Sequence, residues 1–207
     1  MIRKKAYFSI IYMFCLTAFF STIIIGFTRV TAGKVEMNEK ISFERAVLSV
    51  LPDSNVKDLS STEIHRRFTE LITEPDESSG SAYTYRKNGQ IIVYIVPVSG
   101  QGFWAPIRGV IGIQEDKKTI TGASFYQQNE TPGLGAEIAK PAFTKQFDGK
   151  VLSSQGPLIN IKRPGSELGD SDIHAVTGAT QTSVRLEELI NNGLEQWRSQ
   201  IEKGADQ

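Results

Sequence analysis

Hydroxyl side chains crowd one short stretch, HAVTGATQTS (174–183), where three threonines and a serine surround a Gly-Ala pair just ahead of a strongly helical pattern. Two chemistries suit this. Hydroxyl oxygens at a helix start accept backbone N–H groups and cap it; the pattern puts the helix start near Ser183, with Thr182 or Ser183 as N-cap. Alternatively, the N–H groups and dipole of that helix end attract an anion, and one threonine oxygen carries it. No GxxxxGK[ST] loop occurs in the chain, so a phosphate here would have no Walker lysine. On spacing alone, capping is the simpler account.

A second stretch, ETPGLGAEI (130–138), has the composition of a turn. Pro132-Gly133 favours type II geometry, and Gly135 permits close backbone approach. Leu134 stands between two glycines, an odd position for an apolar side chain unless it meets a ligand or partner. An ordinary turn satisfies the same composition. Elsewhere, chemistry-bearing residues are scarce. Cys15 is the single cysteine and His65 and His174 the two histidines, so no Cys-rich zinc or iron–sulfur site is expected, and no metal ligand set is assigned. Redox chemistry, if any, must come from an organic cofactor. The 23 basic residues balance the 23 acidic ones, which leaves no basic field for nucleic acid.

The elements that would position these stretches are legible in outline. ISFERAVLSVLP and STEIHRRFTELI show helical spacing, the first ended by Pro52 and the second with Ile64, Phe68, Leu71 and Ile72 on one face, His65 being solvent-facing. AYTYRKNGQIIVYIVPVSG reads as two strands joined by Asn88-Gly89. IRGVIGIQEDKKTITGASFYQQ reads as a second pair turning at 116–118, and GPLINIK as a further strand. In the last helix Leu186, Leu189, Ile190, Gly193, Leu194, Trp197 and Ile201 share a face that packs on the sheet. The fold class expected is α+β, an antiparallel sheet with flanking helices.

Ahead of this domain, Ala6–Phe27 is an uncharged run of roughly 20 residues, enough to span a bilayer core. It exceeds the usual apolar region of a cleaved signal peptide, about 7–15 residues, so an uncleaved anchor is expected, with a cleaved signal as the alternative. The chain therefore divides into an anchor, 1–34, and a domain, 35–207. Arg3, Lys4 and Lys5 favour an inside N-terminus, although Arg29, Lys34 and Lys40 follow the span. The domain is expected outside the cytoplasm, on a single-pass anchor in the plasma (inner) membrane.

Taken in order, ETPGLG (130–135) and TGAT (177–180), with GFWAPIRGVIGI (102–113) before them, resemble the FMN-binding domain shared by the flavin-carrying subunits of the sodium-pumping NADH:quinone reductase and of the Rnf electron-transport complex. The resemblance implies a flavin. The last threonine of TGAT, Thr180, would carry FMN through a phosphodiester made by a separate flavin transferase from FAD. Thr177, Gly178 and Ala179 would flank it, and Thr182 would cap or bond. Glu130, Thr131, Pro132, Gly133, Leu134 and Gly135 would belong to the flavin site, the 131–135 loop offering backbone N–H groups and Leu134 to the ring, and Trp104 would border it or else pack in the sheet core. No side-chain acid, base or nucleophile is required. Partners would be other membrane subunits of an ion-translocating oxidoreductase. The family commonly places Asp where this chain has His174, with Asp172 two positions off. Other classes remain open, namely a stand-alone flavoprotein reductase and a non-redox anchored binding module.

Overall fold

Val93 and Ile95 alternate along one strand with Tyr94, Val96 and Val98, and all five are buried. A strand buried on both faces must lie in a sheet covered on both sides. The computed structural model, which describes residues 2–52 and 54–205 (side chains of 7–52 and 54–203), has that arrangement. The chain forms two compact units, Met1–Lys40 and Ile41–Gln207.

The first unit is helical and belongs to α1, Ile2–Ser49. Its apolar side chains, including Phe8, Ile11, Phe14 and Ile24, are exposed. The hydroxyls of Thr22, Thr28 and Thr31 bond the carbonyls of Ala18, Ile24 and Phe27 one turn back, so they need no water and suit apolar surroundings. This is the one helix among the described residues long and apolar enough to cross a membrane. Arg3, Lys4 and Lys5, which entered the orientation argument, have side chains outside the described ones.

The second unit has three layers. The middle one is a five-stranded antiparallel sheet in the order β1 (Ile72–Thr73), β2 (Tyr83–Lys87), β3 (Gln90–Gln101), β4 (Pro106–Gln114), β5 (Ile120–Gln127). Asn88 and Gly89 join β2 to β3 with φ of 53° and 81°, the left-handed pair a tight hairpin demands. On one face lie the last turns of α1 with α2 (Ser61–Leu71), where Val47, Leu48, Ile64 and Phe68 meet Val93, Ile95 and Val110. Within that layer the half-exposed His65 Nδ1 meets buried Glu44 at 2.8 Å. On the other face lies the last helix, Thr180–Ala205. The six apolar side chains of its predicted stripe are buried, and half-buried Gly193 lets the helix close on Val98, whose Cγ1 lies 2.7 Å from where a Cβ would stand.

Between β5 and that helix the chain runs through 3₁₀ turns at Gly135–Ala139 and Lys145–Phe147 and a short α3, Pro141–Thr144; the last helix is therefore α4. Phe125, Phe143 and Phe147 pack against one another there. GPLINIK does not extend the antiparallel sheet. Its Asn160–Lys162 (β6) pairs in parallel with Asp172–His174 (β7) in a separate two-stranded sheet. Long-range bonds govern this choice: Asn191 on α4 holds the Ile159 N–H and carbonyl, and Glu187 holds the Ile161 N–H.

Candidate functional site

Three loops converge at the start of α4. The first, 102–105, closes the β3–β4 connection through Gly102 N–H to Ala105 O, 2.9 Å. The second is 130–135, and the third 177–180. Their common point is Glu130, which is 5% exposed. Its Oε1 accepts the Trp104 backbone N–H at 3.1 Å, and its Oε2 accepts the Thr182 hydroxyl at 2.7 Å. The Glu130 N–H is itself held by Gln128 Oε1 at 2.7 Å.

Glycines make this convergence possible. A Cβ at Gly135 would lie 2.5 Å from Thr182 Oγ1 and 2.9 Å from Glu130 Cβ. One at Gly102 would lie 2.6 Å from Glu130 Oε1. Gly133 and Gly178 take φ of 76° and 77°, which only glycine adopts without strain. Over Gly178 lies Leu134, its Cδ2 3.0 Å from the position of an added Cβ. The two stretches singled out from sequence are thus in contact, although about 40 residues separate them.

The start of α4 differs from the expected one. The helix begins at Thr180, and its first i→i−4 bond runs from Ser183 N–H to Ala179 O, 3.0 Å. Neither expected cap acts as one. Thr182 spends its hydroxyl on Glu130, inside the protein, and Ser183 Oγ is buried with no hydrogen-bond partner. The N–H groups of Thr180, Gln181 and Thr182 precede the ladder and form the electropositive end of a 26-residue helix. Thr180 and Gly178 are exposed, and so is Thr177, while Ala179 is buried. Of the three threonines, Thr182 alone is inaccessible.

Around that helix end the surface is apolar and aromatic. Trp104 is 65% exposed, Leu134 43%, and Phe103 and Val184 are exposed as well. Trp104 is therefore not sheet core. Its Nε1 donates to Thr131 Oγ1 at 3.2 Å and its ring meets Phe103 edge-on at 4.9 Å. Thr131 and Pro132 are exposed at the loop tip, while Gly135 is buried. A helix N-terminus with Thr180 exposed on it, and an exposed indole and leucine on the adjoining loops, suit a group with a phosphate at one end and a flat ring at the other.

His174 ends β7. Its N–H donates to Gln146 Oε1 at 2.9 Å, its carbonyl accepts from Gln146 Nε2, and its Nε2 lies 3.0 Å from Ser166 O. Asp172 cannot stand in as a free surface acid. It is buried, and takes Lys162 Nζ at 2.7 Å, Asn160 Nδ2 at 3.0 Å and Gly169 N–H at 2.6 Å. The Lys162 contact, followed by the Gly169 N–H, holds its carboxyl below the usual carboxylate range.

From sequence, Glu130 belongs to the cofactor-binding set; the structure gives its carboxylate to Trp104 N–H and the Thr182 hydroxyl. The Glu130–Thr182 bond and the parts played by Gly102 and Gln128 lie outside the sequence-based expectations. The available signal was an acidic residue opening an otherwise apolar, Gly-rich loop.

Residues 102–195 match the FMN-binding domain family. The chain is 34% identical over 109 residues to the NqrC subunit of the Na(+)-translocating NADH-quinone reductase of Vibrio anguillarum, covering 51% of this chain and 43% of that one. It is 34% identical over 148 residues to the same subunit of Chlamydia trachomatis, covering 62% and 47%. The chain thus spans less than half the length of these curated relatives. The crystal structure of that subunit from Parabacteroides distasonis superposes with a TM-score of 0.67 at 27% identity, over 81% of this chain and 95% of that one. The NqrC structure from Shewanella oneidensis, at 22% identity and a TM-score of 0.55, shares the fold over 78% and 82%.

Proposed function

We propose, from the match of residues 102–195 to the FMN-binding domain family, that this chain is a membrane-anchored electron-carrying subunit with FMN joined covalently to Thr180. The observation that carries the reading is the meeting of the two loops at the start of α4, which leaves Thr180 exposed on its first turn and Thr182 locked inside. FMN, when bound, supplies the chemistry by taking up and releasing electrons.

The chain's own residues anchor and orient. Thr180 Oγ1 would be joined to the FMN-side phosphorus of FAD, the donor, with the pyrophosphate bond to AMP broken and the hydroxyl proton leaving with AMP, in a step catalysed by a separate flavin transferase. The phosphodiester keeps one negative charge. The N–H groups at residues 180–182 favour it by roughly 0.3–1 kcal/mol, more where it is partly buried. Thr177 and Gly178 form the approach to the attachment point, and Ala179 packs beneath it. Leu134 and Trp104 offer apolar and aromatic surface beside the helix end, with Thr131 fixing the indole. No side chain of the site is asked to act as acid, base or nucleophile towards a further substrate.

The relatives named above are subunits of a sodium-translocating NADH-quinone reductase, which favours that type of complex over the Rnf type. By this reading the chain passes electrons between neighbouring membrane subunits, and its domain faces away from the cytoplasm. Purification of the full chain from its native membrane in mild detergent tests the reading. Yellow material copurifying with integral membrane subunits and reducible by NADH is expected. A colourless protein without such partners, from cells with an active flavin transferase, would contradict it and favour the non-redox binding module.

A further inference from the structure

Both oxygens of the Glu130 carboxylate are occupied by donors, Trp104 N–H on one and Thr182 O–H on the other. A carboxylate that only accepts suits this pattern. Thr182 lies in the first turn of α4, so the carboxylate sits at the helix end whose dipole favours negative charge. Among the described residues no Lys, Arg or His side-chain nitrogen lies within 4.0 Å of its oxygens. Its charge is therefore buried and held by hydrogen bonds and a dipole, not cancelled by a cation. The glycines at 102 and 135 close on it so tightly that neither tolerates a Cβ without displacement.

We propose that Glu130 is a positioning residue with a second role as a fixed charge. Its carboxylate latches the Trp104 loop to the first turn of α4 before any cofactor arrives, and its negative charge then disfavours the added electrons of the reduced flavin. The inference rests on the FMN reading of this site. The charge is shielded from water, so it acts on a neighbouring group more strongly than a solvated carboxylate would. The bound flavin is held at a lower potential than the same loops would give around a neutral residue.

Two substitutions separate the roles. In Glu130→Gln the amide oxygen still accepts Trp104 N–H and the amide nitrogen donates to Thr182 Oγ1, so the latch stays and the charge goes. In Glu130→Ala both bonds go. The latch is read on the full chain in detergent, without flavin, by acrylamide quenching of tryptophan fluorescence. Trp104 is exposed and Trp197 is 3% exposed, so the quenchable signal belongs to Trp104. Quenching in Glu130→Gln should match the parent, while Glu130→Ala should change it. Thr182→Val, which removes one bond and keeps the side-chain shape, should change it in the same direction and substitutes for Glu130→Ala if that variant does not fold. The charge is read by spectroelectrochemical titration of the flavin-loaded chain, in which Glu130→Gln should shift the midpoint potential upward.

Unchanged quenching in both Glu130→Ala and Thr182→Val would overturn the latch. An unshifted or lowered potential in Glu130→Gln would overturn the charge. Failure of the parent chain to take up FMN would sink the proposed function instead, and the quenching arm would still decide the latch.

Discussion

Thr182 and Thr180 are two residues apart and chemically identical, yet their surroundings assign them opposite roles. Thr182 is buried with its hydroxyl on Glu130, while Thr180 is exposed at the helix start. Replacing Thr182 by Val leaves Glu130 Oε2 buried and unpaired, and a lost partner of this kind costs about 1–3 kcal/mol. Chemical denaturation should show that loss with the slope unchanged. Gly135→Ala forces a methyl to within 2.5 Å of Thr182 Oγ1 and should destabilise by about 1–3 kcal/mol, since the neighbours are themselves bonded. Asp172 gives the stability of the fold a pH dependence. Its folded pKa is lowered by Lys162 and the Gly169 N–H, so its contribution is complete above the ordinary Asp pKa, about 3.9. That contribution is lost as pH falls from there through the lowered folded value. Asp172→Asn should flatten the acid limb of a stability-versus-pH curve, leaving values near pH 7 below those of the parent by a constant amount.

At the scale of elements, local chemistry is readable from sequence and the long-range spending of polar groups is not. Asn88-Gly89 announces its hairpin because only a few residues accept two successive positive φ angles, and the stripe on α4 announces its buried face. The helix itself starts at Thr180, three residues before the position its hydroxyls suggest, for a physical reason. Hydroxyls at 182 and 183 look like caps, but one bonds a carboxylate 52 positions away and the other bonds nothing. The parallel β6–β7 pair is three residues a side; its register depends on Asn191, Glu187 and Asp172, which no local pattern reveals. The site loops are legible as two motifs, but their contact through Leu134, Gly178, Glu130 and Thr182 exists only in three dimensions. Gly89→Ala tests the hairpin: a methyl at φ 81° has space but not conformational freedom, and a loss of about 1 kcal/mol in unfolding free energy is expected.

At the scale of the whole molecule, the chain joins an apolar helix to a domain whose distinctive surface is the rim of Trp104, Leu134 and Val184 around the start of α4. For the electron-carrying role proposed above, an exposed rim of this kind suits close approach by both donor and acceptor. The central claim is that one threonine, Thr180, carries the flavin. Intact-mass measurement of the full chain, produced with an active flavin transferase, tests it most directly, with Thr180→Ala alongside. The account predicts a mass gain of one FMN less one water in the parent chain and none in Thr180→Ala. An unmodified parent chain, or a gain that survives Thr180→Ala, would contradict it.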